Sequence, residues 1–164
     1  METKYINNYI KDKQLETKFS KIIKGILGNQ FIVHDIKMDE TEGTDFLMFR
    51  ANPFKIAVRL RRYNAFLRYR NEFTIRYSRP SRVKTELQKI MEGLVDYLFY
   101  GFIDEQEKNI IQYFIGDLRV FRNINIQPKA ILSNNPRDSD LAIYGLEQFP
   151  SSFIIKRYNI QYAT

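Results

Sequence analysis

The sequence predicts a mixed α/β fold of the α+β kind, a central sheet of mixed strand direction flanked by helices. Three observations carry that prediction. Apolar residues recur at helical spacing near the N-terminus and again beyond residue 83. Several short segments alternate apolar and polar residues with a period of two. The segment DYLFYGFID is apolar almost throughout, as expected of a strand covered on both faces.

Taken in order, Leu15, Phe19, Ile22, Ile23, Ile26 and Leu27 mark a first amphipathic helix over about residues 13–27, ended by Gly28. QFIVHDIKMD is a strand by its β-branched content, and TDFLMFR is a second. Ala51-Asn52-Pro53 makes a turn into a third strand, KIAVRLRRY. Its two phases separate: Ile56, Val58 and Leu60 on one face, Ala57, Arg59 and Arg61 on the other. Residues 64–71 read as a loop. EFTIRY follows as a strand with Phe73, Ile75 and Tyr77 on one face and Glu72, Thr74 and Arg76 on the other. Val83, Leu87, Ile90, Met91, Leu94 and Val95 predict a second helix over about 81–95, and DYLFYGFID is the buried strand after it. A third helix or helical turn is expected over about 105–115, and DLRVFRNI is expected to be short and extended. Pro128, Asn134-Asn135-Pro136 and Pro150 mark loops around two further strands, DLAIYGL and SFIIKRYNI.

Length and composition limit the chemistry. At 164 residues and 44% hydrophobic content the chain makes one domain, 1–164, with no internal repeat. Folding at this size buries roughly two thirds of the unfolded surface. No apolar run reaches the ~18 residues of a membrane span, and METKYINNYIKDK is not an apolar leader, so a cytoplasmic protein with no membrane partner is expected. The absence of cysteine excludes disulfides, thiolate metal sites and a cysteine nucleophile; the single histidine, His34, excludes polyhistidine sites. No glycine-rich phosphate loop, GxGxxG or GxSxG is present.

The charge is localised. Residues 59–84 hold eight arginines, one lysine and a single acid, Glu72, a net +8, which leaves −1 for the rest of a chain whose total is +7. Guanidinium groups offer bidentate forks and stacking planes for phosphate and base, so this segment predicts binding to a polyanion, DNA above all. Candidate contacts are Arg61, Arg62, Arg68, Arg70, Arg76, Arg79, Arg82 and Lys84, with Tyr63 and Tyr69 interleaved as stacking platforms. Phe66 and Leu67 are expected to anchor the loop that carries them. The plain alternative is a solvated basic face.

The order helix, three strands, an extra strand, helix, strand, with Gly43-Thr44-Asp45 opening the second strand, resembles the PD-(D/E)XK, or restriction-endonuclease-like, nuclease superfamily. The resemblance covers about residues 13–103 and leaves 104–164 as a C-terminal extension. It implies an αβββαβ core, divalent metal (Mg²⁺ or Mn²⁺) held at Asp45, phosphodiester hydrolysis as an endonuclease, and leaves a homodimer open. The stretch from KIAVRLRRY to DYLFYGF is also similar to phage-borne and bacterial relatives of unassigned function. One departure matters. Where the superfamily places Glu-x-Lys on the third strand, this chain has Arg59-Leu60-Arg61.

A lone Asp holds Mg²⁺ poorly, because the ion needs several oxygen donors. Glu72 or Glu86 is the candidate second carboxylate beside Asp45, with Arg59 and Arg61 on the scissile phosphate. Each has a structural alternative: Glu72 as counter-ion to Arg59 or Arg61, Glu86 as the partner of Arg82 four residues earlier, Asp45 as a turn cap. Asp39, Glu40 and Glu42 read as a solvated turn, Asp35 as an inward carboxylate, His34 as a hydrogen-bonded strand residue. Two functional readings therefore stand, a metal-dependent nuclease and a non-catalytic nucleic-acid-binding module in which the arginines have replaced the metal site. A third is a phage factor opposing a host defence, its basic face meeting an acidic protein.

Overall fold

The structure, a computed structural model, describes residues 3–28, 32–33, 46–48, 54–79, 83–133 and 139–159. Its elements in chain order are α1 (Thr3–Leu27), β1 (Ile32–Val33), β2 (Phe46–Met48), β3 (Phe54–Arg61), α2 (Tyr63–Tyr69), β4 (Glu72–Arg76), α3 (Glu86–Met91), β5 (Tyr97–Ile103), β6 (Ile110–Asp117), α4 (Leu118–Ile124), β7 (Ala130–Ser133), β8 (Asp140–Gly145) and β9 (Ile154–Asn159), with short 3₁₀ turns at Leu146–Gln148 and Ser151–Phe153. The fold is mixed α+β. Among the described residues no helix is long and apolar enough to cross a membrane.

The strands form a six-stranded sheet, β1-β2-β3-β5-β6-β9, and a three-stranded sheet, β4-β8-β7. Within the larger sheet β3 and β5 are parallel, with Ile56 opposite Tyr97 and Arg61 opposite Phe102; the other neighbours are antiparallel. A parallel pair needs a crossover, and α2, β4 and α3 supply it. One face of the large sheet packs on α1, where Leu15, Phe19 and Ile23 meet Ile56, Val58, Leu60, Phe99 and Ile103. Phe73 and Ile75 of β4, Tyr144 of β8, Ile90 of α3 and Phe121 of α4 share the core that covers the opposite face.

The segregated phases of the third and fourth strands are as expected: Ile56, Val58, Leu60, Phe73 and Ile75 are all buried. Tyr77, expected on the Phe73 face, lies beyond the end of β4 and is exposed. DYLFYGFID is the central strand β5, and the last two strands are β8 and β9. Three expectations of element type are corrected. Residues 105–115 are not a helix; Ile110–Asp117 is strand β6, buried between β5 and β9 and rich in isoleucine and aromatics. DLRVFRNI is helix α4, because the Asp117 side chain accepts the Arg119 N–H as an N-cap and Leu118 and Phe121 bury one stripe. Residues 63–69 are helix α2 and not a loop.

The second helix is also shorter than 81–95. Thr85 caps it through a reciprocal capping box with Gln88, and Gly93, at φ +75°, ends it. The Gly93 and Leu94 N–H groups donate back to the carbonyls of Ile90 and Lys89, a Schellman arrangement that left-handed glycine permits. Conversely α1 begins ten residues before the expected Lys13, since a helix propagates cheaply once formed.

Candidate nucleic-acid interface

Arg61 of β3 reaches the side that carries β4, whereas Arg59 meets charges from two helices, α3 and α1. Arg59 Nε lies 2.9 Å from Glu86 Oε1, and its Nη1 lies 3.7 Å from Glu16 Oε1 on α1. Side-chain exposures of 22% for Arg59, 14% for Glu16 and 12% for Glu86 place the three charges in partial burial, where Coulomb attraction is weakly screened. The Glu86–Arg59 contact is an ion pair without hydrogen-bond alignment at Oε1. The other Glu86 oxygen accepts the Arg76 backbone N–H at 3.1 Å, which ties α3 to the end of β4.

Arg61 is held differently. Its Nε donates to the Tyr100 hydroxyl at 3.0 Å and its Nη2 to Thr74 Oγ1 at 2.7 Å, so it bridges the two sheets. The neighbouring Tyr100 phenol raises the guanidinium pKa against the burial that opposes it. Arg76 donates from Nε to Ser139 Oγ at 3.0 Å. Arg59, Arg61 and Arg76 are therefore engaged in contacts internal to the domain.

The rest of the basic segment divides again. Arg62 pairs with Glu107 at 3.1 Å, and Lys18 approaches the same carboxylate at 3.8 Å, so the β5–β6 turn is tied to α1 and to the start of α2. Lys84 pairs with Glu92 at 2.7 Å. Arg79 is half-buried, and Arg82 lies outside the described residues. Arg68, Tyr69 and Arg70 are exposed, and among the described residues neither Arg68 nor Arg70 has an ion-pair partner. They are presented by α2, which is anchored from beneath. Phe66 stacks on Tyr63 at 5.9 Å and meets Phe102 of β5 edge-on at 5.9 Å. Leu67, expected as an anchor, is 61% exposed instead. The Gln112 side-chain amide donates to the Arg70 carbonyl and holds the far end of α2.

Of the expected metal ligands the structure describes Glu72 and Glu86, and each is paired with a cation. Glu72 is 3.3 Å from Lys129, which also holds Glu147 at 2.7 Å, so Glu72 is a counter-ion, though of neither Arg59 nor Arg61. Glu86 pairs with Arg59; its expected partner Arg82 lies outside the described residues, as do Asp45, His34, Asp35, Asp39, Glu40 and Glu42. Phe46, the sequence neighbour of Asp45, pairs with Ile56, three residues before Arg59. Among the described residues no group of three or more acidic or histidine side chains is placed to hold a metal ion. Among the described carboxylates a guanidinium lies between Glu16 and Glu86, and an ammonium holds Glu72.

No protein-family model and no curated protein sequence matches this chain.

The residue that sequence reasoning missed is Glu16. Its signal was present, since it stands three and seven residues before Phe19 and Ile23 and so flanks the buried stripe of α1. The two strands of the basic segment are not sheet neighbours either. β3 and β4 belong to different sheets, so the +8 is not one face.

Proposed function

We propose that this protein binds nucleic acid through Arg68, Tyr69 and Arg70, on a scaffold diverged from the restriction-endonuclease-like fold. One observation carries the reading: two exposed guanidinium groups without ion-pair partners among the described residues flank an exposed ring, on a helix locked to the core by Tyr63 and Phe66. Cations left unneutralised at a rigid surface attract phosphate, and a ring between them accepts a base. The other described arginines of the segment are engaged within the domain or in pairs, so among the described residues α2 concentrates what remains available.

The scaffold reading is supported by element order. α1, the antiparallel series β1-β2-β3, helix α3 and β5 parallel to β3, with α2 and β4 inserted between β3 and α3, support a reading as an αβββαβ core. The position of Arg59 between Glu16 and Glu86 supports a non-catalytic module, in which a built-in cation stands where a metal-binding carboxylate is expected. The nuclease reading rests on Asp45 and on the same element order.

Fluorescence anisotropy with labelled DNA in EDTA tests the proposal. Wild-type affinity falls roughly fiftyfold or more between ~50 and ~200 mM salt if about four phosphates are contacted. Arg68→Gln/Arg70→Gln weakens binding about tenfold and flattens the salt dependence. Salt-independent retention, or full affinity in that variant, overturns the proposal. The same DNA incubated with Mg²⁺ or Mn²⁺ separates the two readings: cleavage that Asp45→Ala and Glu86→Ala each abolish establishes the nuclease.

A further inference from the structure

The α2 surface does not end at Asn71. Arg157 of β9 donates from Nη2 to Asn71 Oδ1 at 2.8 Å, and Gln112 of β6, opposite Asn159, holds the Arg70 carbonyl. These contacts set the end of α2 against the outer edge of the large sheet. There β9 presents Lys156-Arg157-Tyr158, all exposed, a second short run in which a ring adjoins two cations. The ring is prepared. Phe99, Tyr113 and Tyr158 form a series of near-parallel rings across β5, β6 and β9, at 5.2 Å and 19° and then 5.5 Å and 23°. Tyr158 is the last, 45% exposed, and among the described residues no further ring lies against it.

We infer that β9 is a second subsite of the nucleic-acid surface, with Lys156 and Arg157 on phosphates and Tyr158 under a base, and that the ligand of the joined surface is single-stranded. This rests on the reading of α2 given above. The choice of single strand comes from geometry. Successive residues of a strand point to opposite faces. Arg157 stands opposite Phe114 and reaches Asn71 on the α2 side, whereas Tyr158 stands opposite Tyr113, whose ring belongs to the core beneath α1. A ligand that touches both must pass around the sheet edge. Duplex DNA, with a persistence length of about 50 nm, does not turn so tightly, and its bases are already stacked. A single strand does turn, and it offers free base faces to the terminal ring.

Anisotropy with labelled oligothymidylate of about 20 nucleotides, and with a duplex of equal length, tests this. The wild type prefers the single strand by about tenfold. Lys156→Gln/Arg157→Gln lowers the slope of log affinity against log salt by roughly 1.4, about 0.7 for each phosphate that is no longer neutralised. Tyr158→Ala weakens binding at least about fivefold and Tyr158→Phe does not, which separates stacking from any loss of folding. Circular dichroism melts of each variant accompany the titrations. If Arg68→Gln/Arg70→Gln weakens binding and the β9 variants do not, the inference falls while the α2 reading stands. Equal or tighter binding of the duplex overturns the single-strand assignment. Absence of all nucleic-acid binding, or preference for polyglutamate, overturns both readings, the latter pointing to an acidic protein.

Discussion

Arg59 is the residue at which structure and binding separate. Its guanidinium approaches two partly buried carboxylates from different helices; removing it leaves Glu86 without that cation, while Glu16 keeps Lys13 at 2.9 Å. Arg59→Ala is expected to lower the free energy of unfolding in urea by about 2 kcal/mol, with little effect on DNA affinity at temperatures where the variant is folded. Arg68→Gln is expected to do the reverse. Both lie in one basic run, and the linear sequence does not say which of them is neutralised. Only the position of each relative to β4, α1 and α3 does.

Acid sensitivity belongs to the same scale. Asp117, 9% exposed, is held below the usual carboxylate range chiefly by its hydrogen bonds from the Arg119 side chain, against the effect of burial. Asp104 shifts the same way; burial opposes it, but donors from Lys108 and Asn109 prevail. A carboxylate whose folded pKa is depressed stabilises the fold above its unfolded value of about 3.9 and loses that contribution as the pH falls through the folded value. Thermal melts should therefore be flat through the mildly acidic range and drop steeply below about pH 4, and Asp117→Asn should show a shallower drop.

Among the elements, β9 is the one most exposed to error. It is an edge strand whose register shifts opposite Ile115 and Gly116, and it carries exposed Ile155 at 54% beside Lys156 and Arg157. Charges and irregularity on an edge oppose sheet-to-sheet pairing between copies. Lys156→Val/Arg157→Val is expected to raise the sedimentation-derived mass with protein concentration, whereas the Gln pair should remain unchanged. Element identity in the sequence followed the strength of the local signal. β3, β4, β5 and the apolar stripe of α1 are legible because period and burial coincide. β6 is hard to read locally because IIQYFIG is apolar on both faces, so neither period stands out, and one of its flanking strands, β9, comes from a distant segment. α4 is hard to read locally because its Asp117 cap and two-residue stripe are short signals. The ends of α3 were readable in retrospect from Thr85, Gln88 and Gly93.

Over the whole molecule the two sheets are joined by an aromatic core. Phe73 of β4 lies 5.4–6.1 Å, ring centroid to centroid, from Phe114 and Tyr100 of the large sheet, Tyr144 of the small one, and Phe149 and Phe153 between them. With Arg61 bridging Thr74 and Tyr100 above it, the sheets share one cooperative unit. Urea unfolding followed by far- and near-ultraviolet circular dichroism is expected to give coincident transitions. Phe73→Ala should shift both together, by about 3–5 kcal/mol.

The sequence by itself determined the mixed α+β class, the faces of β3 and β4, the buried central strand, and the concentration of positive charge in residues 59–84. Those properties depend on residue type and short-range period, which local sequence carries. Tertiary structure alone decided which charges remain available. It split the basic segment between two sheets, set Glu16 and Glu86 on Arg59 and Lys129 on Glu72, and left Arg68 and Arg70 outside any ion pair among the described residues. It also brought Arg157, 86 residues away in sequence, onto Asn71. The physical reason is range: a charge is neutralised by whatever lies within a few ångströms of it, and in a sheet assembled from distant segments that neighbour is seldom a neighbour in sequence.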